Sequence, residues 1–470
     1  MTSQRTSAKQ NQLAKALKSK QKKIPKTKSG RWLWFWLGMS GIAMVSATAG
    51  ALLAVSLTST PLQQAQLSPQ DEAVFDSDRI SGAGLRFSEL TRPVNLLVMG
   101  MSVLPSDINN PPTELQSLGY EPQVNSFDGL ADVMILIKFD PATKRIAMLS
   151  IPRDTRTEVA GYGVKKLNAA NMDGGPALTA KSVSNLLGDV AIDRYIRINV
   201  LGVGRLIDAL GGVTVNVPKD LKYQDDSQHL YINLKAGEQH LNGDQALQLL
   251  RFRHDELGDI GRVQRQQMVI RALMDQTLNP TTVTQLPQIL NVVKENIDTN
   301  LTVEELLALT GFGVRTNRSN MHMFMLPGRF SQPDEYQASY WIPNSTGISR
   351  MMSQHFDVPL TGELREINTR SLRVYIQDST GSDRTEITHL VKNLEEFGYR
   401  KIQISVPWNE PLQVTNIIAQ QGDLENAELI RNALGFGEVR IESTGIIDSD
   451  ITIKLGRDWL QQRPSWSTIR

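Results

Sequence analysis

The stretch Leu250 to Gln267, LRFRHDELGDIGRVQRQQ, holds four arginines, one histidine, three carboxylates and three glutamines within eighteen residues. Guanidinium groups suit phosphate oxygens because their planar fork donates two parallel hydrogen bonds. If residues 250–254 are extended, Arg251 and Arg253 face the same way by the two-residue period of a strand. On the helix that follows, Arg262, Arg265 and Gln266 share a face by three- and four-residue spacing. Two cationic sets so close in sequence would make a concentrated positive pocket. The competing account is a solvated network in which Asp255, Glu256 and Asp259 neutralise the arginines.

A second set lies upstream. SIPRDTR, residues 150–156, puts Arg153 and Asp154 directly after an apolar run, where sheets of α/β proteins tend to bind ligands. Asp132 opens the run DVMILI, and a hairpin between the two runs would bring it near Arg153. A carboxylate beside arginines at the rim of a sheet could ligate a hard cation such as Mg²⁺, which takes one or two carboxylates plus substrate phosphates. A plain salt bridge to Arg153 is the alternative. Lys166 and Asn168, in KKLNAANMDGG, could add donors, although single residues of these types are commonly surface and turn features.

These side chains need elements that hold them. VNLLVMG, residues 94–100, reads as a buried strand ending at a glycine, and the Pro-, Asn- and Gly-rich segment 105–128 reads as a surface loop. DVMILIKFDPATKRIAMLSIPRD predicts a hairpin of two central strands around the turn DPAT, with Pro141 setting the first central φ angle. PALTAKSVSNLLG and VLGVGRLIDALGG have helical spacing, the second ending at Gly211-Gly212. VTVNVP alternates as a strand. GEQHLNGDQALQLLRFRHD predicts a helix from about Asn242 to Leu250, and RVQRQQMVIRALMDQTL a helix with Val263, Ile270 and Met274 on its apolar side. The fold class is α/β (α+β), a central mixed sheet flanked by helices. A second unit starts at LRVYIQDSTG, with a helix near 385–398, then KIQISV, a helix near 423–435 and ITIKLGRDW. Strand, helix, strand, helix, strand describes a small C-terminal α/β domain. Its DSTGSDR, Asp378 to Arg384, lacks the lysine of a phosphate-binding loop and reads as a turn.

The chain has 470 residues and a formal charge of +1, but residues 1–31 carry ten Lys and Arg and no acid. The remainder holds 40 bases against 49 acids, so composition disfavours a basic face for nucleic acid. Trp32 to Thr60 has no charged residue and is long enough to span a bilayer. Trp32, Trp34, Phe35 and Trp36 beside Arg31 look like an interfacial belt, and the lysines before them fit the positive-inside rule. A cleaved secretory signal ending in the small residues Ser46 to Ala49 is the alternative, disfavoured because the apolar run is longer than a signal core. The chain has no cysteine and six scattered histidines, which offer no thiolate site and no HExxH spacing.

DVMILIKFDPATKRIAMLSIPRDTR, VKKLNAANMDGG, IDRYIRINVLGVGRLIDALGGVTVNVP, LKAGEQHLNGDQALQLLRFRHD and GDIGRVQRQQ occur in this order. Together they resemble the LytR-CpsA-Psr family of membrane-anchored cell-wall enzymes, over residues 93 to about 456. RVYIQDSTG to LGRDW is similar to the small domain that accompanies many members. LKYQDDSQHLYINLKAG is in the style of cyanobacterial members. The resemblance implies a phosphotransferase that moves a glycan from a polyprenyl (undecaprenyl) diphosphate carrier in the membrane to peptidoglycan, forming a phosphodiester. It implies Mg²⁺, or Mn²⁺ by the same chemistry, with Asp132 on the metal side. It also implies Arg153, Arg251 and Arg253 as catalytic residues, and the family glutamine at Gln266 or Gln267. An apolar tunnel for the prenyl chain is expected where the arginines converge. Arg262, Arg265, Lys166 and Asn168 are the further candidates for substrate binding.

Two positions depart from the family pattern. Ser102 stands where an Asp is usual, and Leu130 where an Arg is usual, with Asp107 or Asp128 as stand-ins for the carboxylate. The losses imply altered metal affinity, a different donor or an inactive paralogue. A lipid-diphosphate or wall-binding protein, and a polyprenyl diphosphate hydrolase, therefore stay open as alternatives. The expected organisation is a basic cytoplasmic tail (1–31), a transmembrane signal anchor (32–58), a linker (59–92), the catalytic domain (93–345), a linker (346–370), the C-terminal domain (371–457) and a tail (458–470). The expected location is the plasma membrane, crossed once, with both folded domains extracytoplasmic.

Overall fold

The computed structural model describes residues 62–466 except 63, 77, 83–88, 102–126, 128, 226–229, 253–257, 278–287, 290, 293–294, 318–319, 333, 360–368, 382–383, 409–410, 421–422, 441–443 and 447. The expected basic tail and membrane anchor lie outside these residues, as do Ser102, Asp107 and Asp128. Among the described residues no helix is long and apolar enough to cross a membrane. Pro61–Arg470 forms one unit, and its elements are numbered in chain order below.

The predicted hairpin organises the sheet. After β1 (Val94–Met101), strands β2 (Ala131–Asp140) and β3 (Arg145–Ile151) pair antiparallel around the turn at residues 141–144. Asp140 fixes that turn by accepting hydrogen bonds from the backbone N–H groups of Ala142 and Thr143, at 3.0 and 3.2 Å. A side hairpin, β4 (Arg156–Val159) and β5 (Gly163–Lys166), leads into helix α1 (Ala169–Leu186), which breaks at Gly174 and Gly175 before Pro176. There follow β6 (Arg194–Asn199), α2 (Val200–Ala209), β7 (Val213–Val217), β8 (Gly237–Leu241), α3 (Gly243–Arg251) and α4 (Gly258–Thr277). The domain closes with β9 (Ile297–Thr299), α5 (Val303–Arg315), β10 (Met321–Met325), β11 (Gly328–Phe330), β12 (Trp341–Pro343) and α6 (Ser345–His355).

The central sheet runs β9-β6-β1-β2-β3-β10 and is mixed, as expected. β1 is antiparallel to β2 and parallel to β6, while β3 is antiparallel to β2 and parallel to β10. Strands β1, β3, β6 and β10 therefore aim their C-terminal ends at one rim. Alternation sorts the strand residues onto two faces. Leu97, Met99, Met134, Leu136 and Leu149 pack with α1 and α6, whereas Leu96, Ile135, Phe139 and Met148 pack with α5. The first face is sealed, but on the second Val98, Val133, Ile137 and Ile196 stay only partly buried. β7 and β8 form a separate antiparallel pair whose Val213, Val215 and Leu241 pack with Leu249 of α3 and Val269 and Ala272 of α4.

The second sheet comprises β13 (Arg373–Asp378), β14 (Lys401–Ile404), β15 (Asn416–Ala419), β16 (Glu438–Arg440) and β17 (Ile451–Leu455), in the order β14-β13-β17-β15-β16. Helices α7 (Arg384–Glu396) and α8 (Leu424–Leu434) fall where spacing placed them. Gly435, at φ 78°, ends α8 in the left-handed conformation that glycine adopts without a Cβ clash. The expected three strands are five. β15 and β16 are only four and three residues long, too short for alternation to announce.

Candidate active site

At the rim where four strands end, the register between β1 and β2 slips. Gly100 pairs with Val133 but Met101 pairs with Ala131, so Asp132 is the extra, bulged residue. Such a bulge re-aims a side chain. A Cβ on Gly100 would stand 3.0 Å from the Cβ of Val133, so glycine lets the strands approach here. Asp132 accepts a hydrogen bond from Arg153 Nη1 at 2.8 Å, the pairing that hairpin geometry predicted. Asp154 completes the group, 3.3 Å from Arg153 Nε and 2.7 Å from Lys166 Nζ. Lys165 pairs with Asp173 at 2.5 Å.

An open depression of about 410 Å³ lies over these groups, lined among others by Leu130, Arg153, Asp154, Lys166, Asn168 and Tyr340. Leu130, where the resemblance expects an arginine, gives it an apolar wall. Asn168 is buried, and its backbone ties the site together. Its N–H donates to Arg153 O at 3.1 Å, and its carbonyl accepts from Ala131 N at 3.2 Å.

The downstream arginine segment departs from expectation. Asn242 caps α3, reciprocated by Gln245 in a capping box, and the helix persists through Arg251. Residues 250–254 are thus not uniformly extended. Only Phe252 has extended backbone among the described ones, Arg251 being helical, and Arg253 lies outside them. Arg265 is also no pocket-facing partner of Gln266. It is buried, donates from Nη2 to Phe252 O at 2.5 Å, and holds its guanidinium 5.3 Å from the Phe252 ring centroid. It therefore clamps the α3–α4 connection.

Gln267 points inward, donating to Phe324 O at 3.3 Å and Ser150 Oγ at 3.4 Å, while Gln266 is half-buried. Of the two glutamines, Gln267 is the one that joins α4 to the strand leading into Arg153. The buried face of α4 carries Arg265, Gln267, Val269 and Ala272. Ile270 is partly buried, and the side chains of Arg262, Val263 and Met274 lie outside the description. Ile270 packs against the sheet core as its spacing predicted, and the polar anchors Arg265 and Gln267 join the apolar Val269 and Ala272 on the buried side of the helix.

Sequence reasoning missed Arg197, Asp298 and Asn171. Arg197, on β6, is buried and pairs with Asp298 Oδ2 at 2.5 Å. It also donates to Phe127 O at 2.8 Å, and Asn171 Nδ2 donates to the same carbonyl at 2.7 Å and to Gly129 O at 2.8 Å. Together they fix the chain just ahead of Leu130 and Asp132. The available signal was two arginines inside the six-residue strand RYIRIN, since a buried guanidinium requires partners.

Metal binding can be judged from the donor set. Among the described residues no group of three His, Cys, Asp or Glu is placed to hold a metal ion. Asp132 and Asp154 both engage cations, so at the described residues charge is already balanced. A diphosphate arriving here adds negative charge, which a divalent cation would offset. Mg²⁺ would fit in that one mode, arriving with the phosphate and taking Asp132 as its protein ligand.

Residues 58–357 match the model of the LytR_cpsA_psr family, and residues 371–459 match that described as LytR cell envelope-related transcriptional attenuator. The chain is 32% identical over 262 residues to the polyisoprenyl-teichoic acid–peptidoglycan teichoic acid transferase TagV of Bacillus subtilis, a match covering 53% of this chain and 66% of TagV. It is 36% identical over 172 residues to the regulatory protein MsrR of Staphylococcus aureus, covering 36% of this chain and 51% of MsrR. The chain thus spans just under two thirds and about half of these relatives' lengths. The crystal structure of B. subtilis TagV aligns with a TM-score of 0.46 at 29% identity, over 57% of this chain and 98% of that one. With more than half of its length matched by the family model, the chain belongs to the LytR_cpsA_psr family.

Proposed function

We propose that this protein is a phosphotransferase that moves a glycan polymer from a polyprenyl diphosphate carrier to peptidoglycan. The observation that carries the reading is Arg153, held by Asp132 at 2.8 Å at the end of a central strand and opening on the depression that Lys166 also lines. An acceptor hydroxyl oxygen attacks the phosphorus that bears the glycan. The bond from that phosphorus to the bridging oxygen breaks, and polyprenyl monophosphate leaves with the hydroxyl proton. Arg153 and Lys166 hold the diphosphate and stabilise charge as it gathers on the bridging oxygen. Asp132 and Asp154 orient those cations. Mg²⁺ bound with the donor would act as a Lewis acid on the phosphate oxygens.

The partly buried Val98, Val133, Ile137 and Ile196 support a place for the prenyl chain on the α5 face of the sheet. A membrane anchor at residues 32–58, with the folded domains outside the cytoplasm, puts the site where carrier lipid and peptidoglycan meet. Diphosphate hydrolysis is a second reading, favoured by the openness of the depression, which admits water. The test incubates the protein with a polyprenyl-diphosphate-linked saccharide, Mg²⁺ and peptidoglycan fragments, and scores products by mass spectrometry. Phosphodiester-linked glycan, lost in Arg153→Ala, is the expected result. Free phosphate products alone would establish the hydrolase, and undiminished transfer by Arg153→Ala would remove the mechanism.

A further inference from the structure

We propose that Tyr336 and Tyr340 form a saccharide subsite on the rim of the depression, an inference that rests on the transferase reading. The two rings meet edge to face, with centroids 5.3 Å apart. Each lies against one cation: Arg156 is 4.9 Å from the Tyr336 centroid, and Lys166 is 5.6 Å from that of Tyr340. Arg156 and Lys166 are directly opposed in the β4–β5 ladder, so the tyrosine pair is seated on one cross-strand pair. Lys166 reaches Asp154, and Tyr340 lines the same depression as Arg153.

The segment bearing the tyrosines is held at both ends. β11 and β12 pair antiparallel, and beyond them Ser331 N donates to Tyr340 O at 2.8 Å while Tyr340 N donates to Ser331 Oγ at 3.0 Å. Within it, Glu335 takes both Nη groups of Arg329, at 2.8 and 2.9 Å. The next residue, buried Trp341, donates its N–H to Asp154 O at 2.9 Å, so the platform is tied to the residue that follows Arg153. Both tyrosines are half-buried, their positions set before any ligand arrives.

An aromatic face is electron-rich, which repels a phosphate and favours the slightly positive C–H bonds on the apolar face of a sugar ring. Lys166 and Asp154 beside the rings suit hydroxyl groups at the ring's edge. The saccharide comes either from the acceptor or from the donor, and both present this chemistry next to the reacting phosphorus.

The experiment measures binding, without turnover, to the full-length protein in detergent. One probe is a soluble disaccharide-peptide of peptidoglycan, and the other is a disaccharide diphosphate lacking the prenyl chain. Tyr340→Ala should weaken at least one probe by about tenfold or more, the scale of losing an aromatic anchor, and Tyr336→Ala should weaken the same probe. Tyr340→Phe should keep affinity within about threefold, because the ring survives. The probe that responds assigns the subsite to acceptor or donor. Unchanged affinity for both probes in both alanine variants overturns the proposal, as does loss in Tyr340→Phe equal to that in Tyr340→Ala, or the absence of saturable binding to the wild type. Saccharide binding with no transfer under any condition would instead sink the transferase reading and leave the subsite standing.

Discussion

Asp132→Asn separates a structural partner of Arg153 from a participant in the chemistry. The Arg153 Nη1 to Asp132 Oδ1 bond is 2.8 Å long, between side chains 20% and 13% exposed. A charge-assisted hydrogen bond contributes about 1.5–3 kcal/mol, and a neutral acceptor about half of that. Asparagine keeps an acceptor oxygen, so the fold should lose about 1 kcal/mol, a melting shift of about 2–4 °C for a domain of this size. The barrier should rise more. On the proposed reading Arg153 would lose the partner that orients it and Mg²⁺ would lose its protein carboxylate, and removing one preorganised electrostatic group costs about 2.7–4 kcal/mol, or 10²–10³-fold in kcat. The assay pairs thermal unfolding with transfer rate at saturating Mg²⁺ and donor. A kcat within about threefold of wild type, beside the expected melting shift, would refute the reasoning and leave Asp132 a salt-bridge partner only.

Two further outcomes follow from buried and surface charge. Asp298→Ala removes the buried counter-ion of Arg197 and also the acceptor of Ala65 N at 2.5 Å and Tyr195 Oη at 3.4 Å. Urea unfolding should show a loss of about 3–5 kcal/mol, and a loss below about 1 kcal/mol would show that the pair is not the anchor described here. Glu335 has its pKa lowered to about 2, first by the hydrogen bond from Arg329 and then by that from Gln332 N. Its folded value lies below its unfolded one, so its contribution is present above the unfolded pKa and is lost as pH falls from about 4.5 toward 2. The melting difference between wild type and Glu335→Gln should shrink across that window, and a constant difference would exclude the linkage.

The Asp132–Arg153 pair was legible because a hairpin is local. Once the turn at residues 141–144 is set, antiparallel register places the two residues opposite each other, and only the bulge that re-aims Asp132 goes unannounced. The helices of the C-terminal domain were legible for the same reason, since their apolar period lies within each segment. What the chain does 13 to 187 residues away was not. Arg265 reaches back to Phe252 O, and Gln267 crosses 117 positions to Ser150. Tyr340 comes to rest over Lys166 because β12 docks beside Asp154 and Thr155. Sequence spacing determines which way a side chain leaves its own helix or strand. Whether that direction is the interior, the rim or solvent depends on which distant element occupies it, and that was decided when the sheet and its helices packed.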